Sequence, residues 1–86
     1  MNTLEREQKG RALLGRRKRS YKMTLGAPAG DAALRDLAKF CRAHGTTFHP
    51  DQPTSDKLQG RREVWLRIQS FLNLTDEELW NLYGGN

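Results

Sequence analysis

The sequence predicts an all-α fold: a small three-helix body preceded by a basic N-terminal arm that can itself become helical. Three observations carry this reading. Apolar residues recur at helical spacing between Leu34 and Cys41 and again between Leu58 and Leu72. The stretch "NLTDEELWNLYGG" contains a T-x-x-E capping box, Thr75 to Glu78. No run alternates apolar and polar residues as a half-buried strand would, and no internal repeat is visible.

With 86 residues the chain is at most one small domain. A core of that size supplies only a few kcal/mol without a staple or a partner, so assembly is expected. The single cysteine, Cys41, leaves no intramolecular disulfide and suits a reducing compartment or an assembled particle. Apolar runs are too short for a membrane-spanning helix or a secretory segment, which predicts a soluble chain not exported by a signal peptide.

Charge is unevenly placed. Eight Lys/Arg against Glu5 and Glu7 give residues 1–22 a net +6, whereas the remaining 64 residues carry −1. An arm over 1–24 is therefore distinguished from a nearly neutral body over 25–86. Wound as a helix, the arm would point Leu4, Leu13 and Leu14 in three directions, and Gly10 and Gly15 would each cost about 1 kcal/mol relative to Ala. The expectation is a mobile segment that becomes helical when a polyanion or a protein surface neutralises it. Arg11, Arg16, Arg17, Lys18, Arg19 and Lys22 are its candidate contacts to nucleic acid or an acidic surface. If about four to six such groups neutralised phosphates, log affinity for duplex DNA would fall with log salt at a slope of roughly −4 to −5.

Within the body, Gly26, Pro28 and Gly30 mark a linker or turn. A helix follows over about 31–44, with Asp31 as a cap and Gly45 as its stop. Leu34, Leu37, Ala38 and Cys41 form its apolar face, with Phe40 at the margin. Asp51, Thr54 or Ser55 can start the main helix, read as about 55–72. There Leu58, Val64, Trp65, Ile68, Phe71 and Leu72 share one arc, Leu66 projects away from it and Arg61 falls inside it. The last helix, about 76–83, has Asp76 and Glu77 at its positive end, a Leu74–Leu79 staple, and Gly84 and Gly85 as its stop.

Several constellations invite chemistry. His49-Pro50-Asp51 between two helices imitates the tripeptide of J-domain co-chaperones, but the aromatic-rich leading helix and the following motif of that family are missing. Pro50 then simply keeps His49 extended while Asp51 caps or turns the chain. Cys41-x-x-His44 with His49 and Asp51 offers zinc-type ligands, yet without the paired spacing of zinc modules, so no metal and no cofactor is expected. No nucleophile–base arrangement or glycine-rich phosphate loop argues for catalysis, so the chain reads as non-enzymatic. Arg61 should pass the core edge or meet Asp36 or Asp51, and Arg62 should lie on a solvated face.

The stretches "DLAKFCRAHGTTFHPD" and "GRREVWLRIQSFLNLTDEEL" resemble a family of small tailed-phage proteins known from a Bordetella podophage. The pattern is Asp-Leu-x-x-Phe-Cys, then Thr-x-Phe-x-x-Asp, then Gly-Arg-Arg-x-Val-Trp-x-x-Ile. It is carried here by Asp36, Leu37, Phe40, Cys41, Thr46, Phe48, Asp51, Gly60, Arg61, Arg62, Val64, Trp65 and Ile68, within residues 16–82. In that pattern Phe48, Asp51, Arg61 and Trp65 would act as a structural clasp between two helices. The resemblance implies a virion accessory protein at the head-to-tail junction or inside the head, found in the host cytoplasm before assembly. Its partners would be a portal, adaptor or capsid protein, engaged in several symmetric copies, with DNA as a further contact. Leu66, Trp80 and Tyr83 are the candidate docking residues. The alternative is a phage regulator or host-takeover factor that binds nucleic acid or inhibits a host enzyme.

Overall fold

The structure, a computed structural model, describes residues 2–84. Met1, Asn86 and the expected stop at Gly85 lie outside the described residues. Within them the fold is all-α: α1 (Thr3–Thr24), a 3-10 turn (Pro28–Gly30), α2 (Asp31–Phe40), α3 (Gln52–Asn73) and α4 (Asp76–Leu79), which continues into a π-helical turn (Trp80–Gly84). No described helix is long and apolar enough to cross a membrane.

Helix α1 overturns the expectation of a mobile arm. Asn2 caps it by accepting from the Glu5 N–H at 2.8 Å, Glu5 sits in the first turn and Lys22 in the last, both favourable to the helix dipole. The helix packs along α3, α4 and the π turn. Its inward stripe is Glu7, Arg11, Leu14, Lys18 and Tyr21, spaced four, three, four and three residues apart. Only two of these five are apolar, so an apolar-only pattern misses the face. Leu14 enters the core, and the Tyr21 ring stacks on Phe71 with centroids 4.8 Å apart.

The principal core joins Leu14, Phe71 and Leu79, with Tyr21, Leu74, Trp80 and Tyr83 packed around them. Phe71 and Leu79 are 0 % exposed. Tyr83 covers the other side of Phe71 at 5.5 Å, completing a three-ring stack whose edge carries the Arg67 guanidinium. The expected capping box forms: Thr75 Oγ1 accepts from the Glu78 N–H at 3.2 Å, and Glu78 Oε1 accepts from the Thr75 N–H at 3.0 Å.

The two ends of α3 are covered on different faces. Phe71 packs with Leu14 of α1, whereas Ser55 and Arg62 bond the 45–47 loop, roughly 160° or more around the helix, with Trp65 and Leu72 pointing between these directions. Val64 lies in the predicted arc and points the same way as Phe71, but two turns before it, and is 55 % exposed instead of core. Phe40 is likewise left 56 % exposed.

Helix α2 ends earlier than expected. Asp31 is its first residue, not its cap, and pairs with Arg35 at 2.8 Å. The chain leaves the helix at Cys41 because Arg42 takes a left-handed backbone, φ 51°. Its N–H donates to Lys39 O and that of Ala43 to Ala38 O, a Schellman closure with arginine where glycine is usual. Helix α3 begins earlier than expected, because Asp51 is the residue that caps it, accepting from the Thr54 N–H at 3.1 Å.

The molecule spans 48 × 33 × 16 Å, with a radius of gyration of 15.6 Å. A compact chain of this length would have about 12 Å. Its thinnest extent is a third of its longest, so the molecule is flattened and elongated. The accessible surface, 6299 Å², stands about a fifth above the roughly 5,200 Å² of a compact monomer of 9.9 kDa.

Candidate docking surface and basic ridge

The helical state of α1 sorts its basic residues by direction. Arg11 and Lys18 point inward and are occupied. Arg11 donates to Glu77 Oε2 at 2.8 Å, pairs with Glu7 at 3.0 Å, and lies 4.9 Å from the centre of the Trp80 ring. Lys18 pairs with Asp76 at 3.2 Å. The hydrogen bond from Arg11, then its charge, holds the Glu77 carboxyl below the ordinary glutamate range, and the same contact raises the Arg11 guanidinium further. These two expected nucleic-acid contacts instead fasten α1 to the acidic first turn of α4.

Arg16, Arg17, Arg19 and Lys22 remain exposed, with no carboxylate within ion-pair distance among the described residues. At about 100° per residue, Lys9, Arg16 and Arg19 share the face opposite Leu14. They form a basic ridge on the outside of the molecule. Arg6, Leu13 and Arg17 lie on the flank that borders the π turn.

On that flank Trp80 packs unusually close to backbone. A Cβ added to Gly10 would stand 2.8 Å from the indole, and one added to Gly84 would stand 1.9 Å from it. Glycine at both positions lets the ring lie between α1 and the π turn. The ring also leaves one edge open, and with Tyr83, Leu13, Arg6 and Arg17 it bounds a groove of about 640 Å³. Sequence reasoning assigned Trp80 and Tyr83 to docking and Arg17 to anion contact; the fold brings all three to one groove. Leu66, 52 % exposed, stands apart from it on α3.

The expected clasp is differently built. Asp51 caps α3 and Trp65 is half-buried, but the Phe48 side chain is exposed and Arg61 meets neither Asp36 nor Asp51. Arg61 instead lies over the Phe40 ring, 4.2 Å from its centre. What ties the loop to α3 is Ser55 Oγ donating to Thr47 O at 3.1 Å and Arg62 Nη1 donating to Gly45 O at 2.8 Å. Arg62, expected on a solvated face, is therefore half-buried at the loop. Neither bond had a signal in the sequence, because Ser55 lies outside the apolar arc of α3 and the partners are 8 and 17 positions apart. His49 Nδ1 accepts from the Asp51 N–H at 3.0 Å, a local turn. Among the described residues no group of three or more His, Cys, Asp or Glu could hold a metal ion. Cys41 is free and buried.

The architecture is thus a small all-α body with a basic ridge. A family model described as the Bbp19-like phage protein matches residues 21–83, and the chain belongs to this phage protein family. The matched span runs from the last turn of α1 to the π turn. No curated protein and no solved structure matches the chain.

Proposed function

We propose that this phage protein is a non-enzymatic accessory component of the virion, docked on a portal, adaptor or capsid protein, with the ridge of α1 facing DNA or an acidic protein surface. The observation that supports this best is the elongated shape of the molecule, with more surface than a compact monomer has. So elongated a chain leaves Phe40, Val64, Leu66 and Leu82 about half exposed. Burying such residues against a neighbour would supply stability that so small a core lacks. Assembly in the host cytoplasm followed by residence in the particle accords with one free cysteine.

Mass spectrometry of purified particles tests the reading. Presence in a fixed ratio to the portal is the expected result. Absence from particles, with synthesis early in infection, would favour a regulator or host-takeover factor. The ridge is tested separately by titrating duplex DNA at several salt concentrations. With Arg11 and Lys18 occupied, about three or four phosphate contacts remain and the slope of log affinity against log salt should be about −3 to −4. Replacing Arg16 and Arg19 by Glu should abolish binding; unchanged binding would remove the ridge from any DNA contact and favour the acidic protein surface.

A further inference from the structure

We infer that the groove between α1 and the π turn receives an acidic segment of a partner protein bearing a large apolar side chain. The inference deepens the docking role proposed above and rests on it. Two features of the groove point to this chemistry, and they must be read together.

The first is an apolar floor. Leu13 is 39 % exposed, and Trp80 and Tyr83 are half-buried, each using one side on the core and turning another to the groove. This opening does not close by side-chain collapse. Beneath it Leu14, Phe71 and Leu79 are already packed, and Trp80 is held by close approach to Gly10 and Gly84 and by Arg11 at its face. A volume of about 640 Å³ lies within the roughly 300–1,000 Å³ of sites that enclose a ligand group.

The second is a net positive rim. Arg6 and Arg17 border the groove and meet no carboxylate within ion-pair distance among the described residues. Glu7, the acidic residue on the same wall, pairs with Arg11 at 3.0 Å, a guanidinium it shares with Glu77, so Arg6 and Arg17 leave the rim net positive. The two arginines lie eleven positions apart on the helix, about 16 Å along the axis. Carboxylates on a partner segment that spans this distance would meet both arginines while an apolar side chain between them covered Leu13 and Trp80. Arginine and tryptophan around a recess are also the residue types that dominate binding energy at protein interfaces. Duplex DNA supplies the charge but nothing to bury on the apolar floor, and the outward ridge of Lys9, Arg16 and Arg19 is the surface shaped for it.

Fluorescence polarisation on the full chain decides the matter, using a labelled peptide of Asp and Glu with a central Phe-Leu pair. A control peptide carries Ser-Ser at the centre. The Phe-Leu peptide should bind about tenfold or more tightly than the control, and Leu13→Asp or the pair Arg6→Glu with Arg17→Glu should weaken it by about tenfold. The ridge variant Arg16→Glu with Arg19→Glu should stay within about twofold, since its side chains lie off the groove. Leu13 is outside the core, and unchanged helical circular dichroism identifies variants that fold; Leu13→Ser replaces Leu13→Asp if it does not. Equal binding of the two peptides, or equal loss in ridge and groove variants, would overturn the inference in favour of unspecific charge attraction. Single-stranded DNA that displaces the peptide and loses affinity in the Leu13 variant would overturn it in favour of a nucleic-acid site. Absence of the protein from particles would sink the virion reading while leaving the peptide result intact, so the two failures are distinguishable.

Discussion

The two ends of α3 are built to different standards. Its C-terminal end is enclosed: Phe71 lies between two aromatic rings, Leu79 is fully buried, and α1 is fastened across it by ion pairs and a capped acidic turn. Its N-terminal end buries Ser55, Leu58 and, from α2, Cys41, while Phe40, Phe48 and Val64 stay exposed. The chain connecting α2 to α3 is held by the two loop hydrogen bonds of Ser55 and Arg62. The comparison teaches that net stability is concentrated at one end, leaving the other free to open locally or to gain stability from a neighbour.

The largest effect should come from Phe71→Ala. It empties the centre of the three-ring stack and should cost about 3–5 kcal/mol, a large share of a small domain's stability, with global loss of helicity in chemical denaturation. At the other end Leu58→Ala should cost about 2–3 kcal/mol, at the low side of such substitutions because fewer partners surround it. Hydrogen exchange should show its effect confined to α2 and the loop, with α1 protected. Equal acceleration in α1 would mean that the two ends form one cooperative unit and would break the comparison.

Thr75→Ala removes the cap of the acidic turn and should destabilise by about 1 kcal/mol, read as a lowered denaturation midpoint. A change of the opposite sign is expected at the weaker end. Arg42→Gly relieves a side chain held in the left-handed region and should stabilise by about 0.5–1 kcal/mol, net of the extra freedom glycine has when unfolded. Destabilisation there would show that the long bond from Arg42 to Thr46 O, 3.5 Å, outweighs backbone strain.

The smallest effect concerns pH. Glu78 is held below the ordinary glutamate range first by the Thr75 backbone N–H, and Glu77 by Arg11. Depressed carboxyls contribute stability that is complete above the unfolded-state value of about 4.3 and is lost as pH falls through their lower native values. Melting temperature should therefore decline on acidification through and below that range. Glu78→Gln keeps the capping geometry without the titration and should flatten the decline; an unchanged slope would place the acid sensitivity elsewhere.

How much of this could be read along the chain depends on the range of the interaction responsible. Helical class and the Thr75–Glu78 capping box are settled by residues within a few positions of one another, so composition and spacing were sufficient, whereas the start of α3 stayed open among Asp51, Thr54 and Ser55. The groove was half legible: Trp80, Tyr83 and Arg17 were singled out, but not as neighbours, because Gly10 and Trp80 are 70 positions apart in the sequence. Helix α1 was misread as mobile for a definite reason. Its inward stripe uses Arg11 and Lys18 where apolar residues are usual, and these are held against α4 only when Glu77 and Asp76, themselves exposed, stand opposite them. Val64 and Arg61 satisfied the helical period of α3, yet periodicity assumes one covering surface per helix. Here α1 and α2 cover different faces at opposite ends, exposing Val64 and setting Arg61 on Phe40. Local hydrogen bonding and helical period belonged to the sequence by itself; which face is buried, and which charge is spent inside the molecule, was decided by contacts that exist only after distant segments meet.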